Sequence, residues 1–78
     1  MYIRWQVDTN DYFGVVRPGG VNGVLIGYTE NIYQPEPFVF PIEELSVGYQ
    51  EIGIEKYYDL LHQHVILMVK EICRKGLK

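Results

Sequence analysis

The chain has 78 residues, of which 47% are hydrophobic and 22% are charged, and its net charge at pH 7 is −3. This length allows one domain, and the ordinary apolar fraction argues against disorder. The single cysteine, Cys73, excludes an intrachain disulfide and a cysteine-rich zinc cluster. A lone thiol, no apolar run near the roughly 18 residues of a membrane span and no signal-peptide core together predict a cytoplasmic protein without a membrane anchor.

Three strand patterns fill the first third of the chain. Residues 2–7 alternate between apolar and polar side chains, which predicts a half-buried strand. The polar run at residues 8–11 is typical of a turn, and residues 12–17 predict a second strand. The Pro- and Gly-rich segment 18–23 predicts another turn, after which residues 24–28 form a third strand.

The middle of the chain is predicted to hold one long connection and two short strands. Residues 29–37 contain two prolines, which lack the donor that a sheet ladder needs, so we expect a loop or a sheet edge there. Residues 38–40 predict a fourth strand, and residues 41–45 a single helical turn opened by proline. Alternation over residues 45–49 predicts a fifth strand.

Over residues 54–76 the apolar period becomes that of an amphipathic helix. The broad apolar stripe, which we expect to pack on the sheet, consists of Ile54, Tyr57, Tyr58, Leu61, Val65, Met68, Val69 and Ile72. Leu60 and Leu67 lie off this stripe, seven residues apart, and His64 and Glu71 lie beside them. Because apolar residues on the far face of a helix need a second partner, these four residues predict a self-association surface.

Together these elements predict an α+β fold in a single domain, residues 1–78. A small antiparallel sheet of four to five short strands occupies residues 1–52, and one long C-terminal amphipathic helix occupies residues 53–76. Five strands with a helical turn between the fourth and the fifth resemble, in their order, a small SH3-like barrel. An open meander with the helix across one face is the alternative, and neither arrangement specifies a function.

Candidate chemical sites do not survive inspection of their spacing. His62 and His64 are two positions apart, so on a helix they point about 160° apart and cannot share one metal ion. Residues 8–11 lack the glycine and distal glutamate of a calcium loop, and Gly14–Gly23 lacks the Lys-Ser/Thr ending of a phosphate-binding loop. Nothing in the sequence places a base beside Cys73. We therefore predict no catalytic residue, no metal and no cofactor.

Charge is unevenly distributed along the chain. Residues 1–50 hold two Arg against six Asp and Glu, a net −4, whereas residues 51–78 hold five Lys and Arg against four Asp and Glu, a net +1. The acidic sheet half argues against a duplex-binding surface, which needs clustered cations. The helix ends on a basic cluster, Lys70, Arg74, Lys75 and Lys78. This cluster complements the helix dipole, and a phosphate- or acid-binding patch stays open as a second interpretation.

Seven tyrosines, three phenylalanines and one tryptophan are many for this length, and such side chains anchor protein interfaces. The predicted partner-binding residues are Arg17, Asn22, Tyr28 and Tyr33, in or beside the two long connections. We predict a small non-enzymatic protein-interaction module, an adaptor, regulator or inhibitor that docks on a larger protein as a homodimer. The size is typical of a bacterial or phage accessory protein. The alternatives are a small barrel that binds single-stranded nucleic acid, and a small-ligand-binding protein or enzyme with a pocket between sheet and helix.

Overall fold

A computed structural model describes residues 1–76 as one sheet followed by one helix. The five antiparallel strands are β1 (Tyr2–Val7), β2 (Asn10–Arg17), β3 (Val24–Thr29), β4 (Phe38–Pro41) and β5 (Tyr49–Ile52). A 3₁₀ turn at Ile42–Glu44 lies between β4 and β5, and helix α1 spans Ile54–Gly76. The predicted α+β class, with its antiparallel sheet and long C-terminal helix, is confirmed.

The sheet is open rather than closed into a barrel. Its strand order is β4-β3-β2-β1-β5, so β4 and β5 lie at opposite edges. The connection of residues 42–48 crosses one face of the sheet from the first edge to the other. Of the two predicted arrangements, the structure therefore has the open sheet with the helix across one face.

The short elements agree with the sequence patterns except at the fifth strand. The first turn closes between Val7 and Asn10, and Asp8 adopts the left-handed conformation (φ 56°) that aspartate tolerates. The predicted fifth strand at residues 45–49 is displaced, because β5 begins only at Tyr49. Leu45 and Val47 pack instead against the core of the sheet, which their alternating pattern alone could not distinguish from pairing in a strand.

Both faces of the sheet are covered. One face is crossed by the connection of residues 42–48, and we call it the turn-side face. On it, the buried side chains of Ile3, Trp5 and Leu25 form a core. The half-buried side chains around that core are Tyr12, Val16, Phe40, Ile42, Leu45 and Val47. On the helix-side face, Phe13 and Val15 are buried beneath α1. The domain thus has two thin apolar layers, one on each side of a single sheet.

The turn-side layer depends on a pair of facing glycines. Gly14 and Gly27 are cross-strand neighbours on β2 and β3. A Cβ at Gly27 would lie 2.8 Å from the Phe13 carbonyl oxygen and 2.8 Å from the outer edge of the Trp5 ring. The indole therefore lies over Gly27 at a distance that no side chain on Gly27 allows.

Replacing Gly27 with alanine should destabilise the fold by about 1–3 kcal/mol, because the new methyl group overpacks the Trp5 layer and meets backbone. The matched control is Gly48→Ala, where an added Cβ meets nothing within 4 Å. Urea unfolding followed by Trp5 fluorescence measures both variants. Equal midpoints for the two would contradict this account of Trp5 packing.

An ion pair connects the end of β3 to β1 across the intervening strand. Arg4 donates from Nε to Glu30 Oε2 at 2.6 Å and from Nη2 to Glu30 Oε1 at 2.8 Å, a two-pronged geometry. The hydrogen bond to Glu30 raises the pKa of Arg4. The Glu30 backbone N–H donates to the Asp11 carbonyl oxygen at 3.0 Å, so backbone and side chain hold this corner together.

Glu30→Gln should lower the free energy of unfolding by about 1–2 kcal/mol, since both contacts lose their ionic character and one acceptor oxygen becomes a donor, while the Arg4 head is partly solvated. Glu36→Gln is the control, because Glu36 is exposed and makes no side-chain ion pair among the described residues. Both are compared by urea unfolding in low and high salt. Equal free energies of unfolding for wild type and Glu30→Gln would show that the ion pair does not stabilise the fold.

Candidate functional site

The path of α1 is set by a one-residue connection. Gly53 alone separates β5 from α1, and the Tyr57 N–H donates to the Gly53 carbonyl oxygen at 3.0 Å. The helix therefore begins beside β1, where the rings of Tyr2 and Tyr57 have centroids 4.5 Å apart. It then passes over β2 toward β3, where the rings of Tyr28 and His64 are 4.4 Å apart.

The sheet-facing line of α1 is centred on Leu60 and His64, which are 4% and 5% exposed. Leu67 and Glu71 continue this line and are half-buried. The prediction that these four residues form a self-association surface is wrong at its centre, because Leu60 and His64 are buried inside the monomer by the sheet. The side of the helix that was predicted to be exposed therefore packs on the sheet, and most of the stripe that was predicted to pack on the sheet is exposed.

The broad apolar stripe lies roughly a third of a turn away from the sheet-facing line and is largely open to solvent. We call it the apolar seam, and it consists of Ile54, Tyr58, Leu61, Val65, Met68, Val69 and Ile72. Five of these side chains are between 42% and 59% exposed, and Leu61 and Met68 are half-buried. Of the predicted stripe, Tyr57 packs on the sheet, with its ring 5.9 Å from that of Phe13. A continuous apolar surface over nearly the whole helix is rare on a monomer.

His64 is held among aromatic rings and has a structural environment. Its ring centroid lies 4.4 Å from Tyr28, 5.9 Å from Tyr33 and 6.4 Å from Phe13. Nε2 is 3.2 Å from the Gln34 carbonyl oxygen, which can only accept, so Nε2 carries the proton. Nδ1 is buried and has no hydrogen-bond partner. The imidazole therefore stabilises the packing of the loop of residues 30–37 against the helix.

The predicted partner-binding residues do not form one surface. Arg17 and Asn22 are exposed near the β2–β3 turn, where Asn22 Nδ2 donates to Glu43 Oε2 at 3.0 Å. Tyr28 and Tyr33 lie toward the opposite end of β3 and are half-buried against His64. At the tip of the second loop the exposed apolar side chain is Ile32, 61% exposed. Nothing in the sequence distinguishes this isoleucine from the tyrosine beside it, because both are loop apolar residues.

Two of the grooves on the sheet are lined by aromatic rings. A polar groove of about 510 Å³ lies along β1 and β5, and it is lined by Arg4, Trp5, Gln6, Asp11, Gly48, Tyr49 and Gln50. A more apolar cleft of about 230 Å³ lies on the turn-side face. There the rings of Trp5 and Tyr12 are stacked at 5.5 Å, and the Phe38 ring lies 5.9 Å from that of Tyr12.

The basic end of the helix is exposed and partly paired within itself. Lys70, Arg74 and Lys75 are exposed on the last turns of α1, and Lys78 lies outside the described residues. Arg74 Nη2 donates to Glu71 Oε1 one turn back. The cluster therefore carries two unpaired cations and one cation in an ion pair within residues 1–76.

Alkaline pH should weaken the sheet–helix contact through Tyr57. Burial raises the pKa of Tyr57, followed by smaller effects of the nearby Tyr28, Tyr58 and Tyr2 hydroxyls. A raised pKa in the folded state means that the contribution is complete below about pH 10, where the unfolded chain's tyrosine is still neutral, and is lost as pH rises further.

Tyr57→Phe should therefore unfold at nearly the wild-type urea concentration at pH 7 and lose less stability than wild type between about pH 10 and 12. The exposed Tyr49→Phe serves as the control and should follow the wild-type curve. Parallel pH curves for Tyr57→Phe and wild type would contradict the assignment.

Comparison of the chain with protein-family models, with curated protein sequences and with solved structures gives no match. Within residues 1–76, no helix is long and apolar enough to cross a membrane. Over the same range, no three His, Cys, Asp or Glu side chains lie close enough to hold a metal ion. The apolar seam is the most distinctive feature of the surface within residues 1–76.

Proposed function

We propose that this chain is a small non-enzymatic protein-interaction module, an adaptor, regulator or inhibitor that works by holding a protein chain on its apolar seam. The observation that carries this proposal is the exposure of five large side chains along one face of a helix whose other face is already packed. An apolar helical face of this kind fits another helix or groove through anchors spaced three and four residues apart.

The contacts of the polar side chains support a structural rather than a chemical role. His64 is the buried ionisable group on α1, and it is enclosed by rings and bonded to a backbone carbonyl. The Arg4–Glu30 pair fastens two strands together. Such contacts stabilise the fold. The surface that we propose for binding is therefore the apolar seam.

The nucleic-acid alternative gains no support from the arrangement of aromatic and basic side chains. Stacking of bases requires exposed rings beside cations on one groove. The exposed rings of Phe38 and Tyr49 lie on opposite edges of the sheet. Tyr58 is about 18 Å along the helix from Lys70, at 1.5 Å per residue. Bases stacked on Tyr58 would therefore lie far from the basic end of the helix, the one cluster of cations that could hold several phosphates within residues 1–76.

Site-specific photo-crosslinking in cells that express the chain tests this proposal. A benzophenone amino acid placed at Val69, on the seam, should form adducts that protease removes and nuclease leaves intact. The same probe at Gln63, an exposed position on the polar side of the helix, should form few or none. Equal adducts at the two positions would contradict a seam-specific role, and nuclease-sensitive adducts would favour the nucleic-acid alternative.

A further inference from the structure

The apolar seam has the spacing of a coiled-coil seam. Six of its residues are separated alternately by four and three positions, and they are Ile54, Tyr58, Leu61, Val65, Met68 and Ile72. This is the a/d spacing of a heptad repeat, which fits a second helix of the same spacing. Building on the proposed function, we propose that the seam holds a second copy of this chain, with the two α1 helices antiparallel about a two-fold axis.

The positions of the apolar residues suit antiparallel pairing in every layer. With the two-fold axis on the seam side of the helix, level with residue 63, Ile54 lies opposite Ile72 of the second copy, and Leu61 lies opposite Val65. Tyr58 then lies opposite Met68, so each layer joins an a position to a d position, as antiparallel coiled coils do. No layer contains a charged residue, and the sheet-facing line of each helix is left undisturbed.

The projecting end of α1 favours the antiparallel orientation. Between Val69 and Gly76 every residue except Glu71 is exposed, because this end extends beyond the sheet. In an antiparallel pair it lies along the first turns of the second helix, where Ile54 and Tyr58 are exposed. A parallel pair would leave both projecting ends without the cover of a sheet.

Charge favours the same orientation. The last turns of α1 carry Lys70, Arg74 and Lys75 against Glu71, whereas the first turns carry Glu55 and Asp59 against Lys56. Parallel pairing would bring two basic ends together. Antiparallel pairing brings each basic end to an acidic one, so like charges are separated along the length of the helix.

The monomer exposes more surface than a compact chain of its mass. The chain exposes 5552 Å², compared with roughly 4,900 Å² for a compact monomer of its mass. The monomer therefore exposes roughly 650 Å² more than a compact chain of its mass, as expected of a chain whose apolar seam lies open. The radius of gyration, 13.6 Å, likewise exceeds the ~11.5 Å of a compact domain of this length.

Sedimentation equilibrium of the full chain tests whether a second copy binds the seam. Wild type should sediment at twice its 9.1 kDa mass. Val65→Glu should raise the dissociation constant by about 100-fold or more, because it places an unpaired carboxylate in two central layers. Gln63→Glu adds the same charge on the polar side and should leave the constant unchanged. Far-ultraviolet circular dichroism and the emission of buried Trp5 show that each variant is folded.

Mixing two variants tests the register and remains informative if either one alone is weakly stable. Val65→Glu and Leu61→Lys should each dissociate alone, whereas an equimolar mixture should form a heterodimer at least tenfold tighter than either homodimer. In the antiparallel register the introduced glutamate and lysine share one layer and the other central layer stays apolar. Parallel pairing never places them opposite each other, so failure to heterodimerise would overturn the orientation.

The native Cys73 gives a direct distance. It is the only cysteine and is exposed, so a nitroxide can be attached without mutation. Electron–electron double resonance should show a separation of about 30 Å or more, since each label lies ten residues from the axis at 1.5 Å per residue. A separation of roughly 20 Å or less would indicate parallel helices, whose axes lie ~8–10 Å apart, and would overturn the antiparallel dimer.

These outcomes are separable from those of the proposed function. A wild-type monomer that still gives Val69 adducts with other proteins would refute the second copy and leave the interaction module standing. A wild-type dimer that is insensitive to Val65→Glu would show that the copies meet elsewhere and would refute the seam as their interface.

Discussion

Both faces of the five-stranded sheet carry apolar side chains, and within residues 1–76 the chain has two segments with which to cover them. The connection of residues 42–48 covers the Trp5 side, and α1 covers the Phe13 side. Neighbouring strands lie about 4.8 Å apart, so the sheet is only about 19 Å wide. A helix of 23 residues is about 34 Å long. The helix therefore extends past the sheet it covers, and its exposed length and exposed face both follow from this mismatch.

The short connection between β5 and α1 decides which side of the helix faces the sheet. Gly53 leaves no slack between β5 and α1, so the first turn must place Tyr57 against Tyr2 and Phe13. Residues three and seven positions later, Leu60 and His64, share that side of the helix. The loop after β3 then supplies the Gln34 carbonyl that binds His64. A histidine is an unusual choice for this line, and it is accommodated because aromatic rings surround it and one ring nitrogen is satisfied.

Much of this architecture follows from local patterns in the sequence, whereas the choice of helix face does not. Alternation in residues 2–7, the Pro- and Gly-rich turn before β3 and the 3.6-residue period after Gly53 each predict the element that the structure contains. The hydrophobic pattern shows two apolar stripes on α1 and ranks the broader one as the core, but packing is decided by the connection and by the shapes on the sheet. Leu45 and Val47 were mispredicted for the same reason. Their alternating pattern fits a strand as well as a segment that packs over the core of the sheet.

Burial of the Leu60 side of the helix still leaves an apolar stripe of α1 exposed. One sheet can cover only one stripe of a helix, so a helix with two apolar stripes leaves one of them exposed whichever way it turns. Burying the short line of Leu60 and His64 leaves outside the longer stripe, which has heptad spacing and reaches the projecting end of α1. Folding and the association that we propose then use different sides of the same helix. A change such as Val65→Glu can therefore alter one while leaving the other intact, as is required of a surface that binds without forming part of the monomer core.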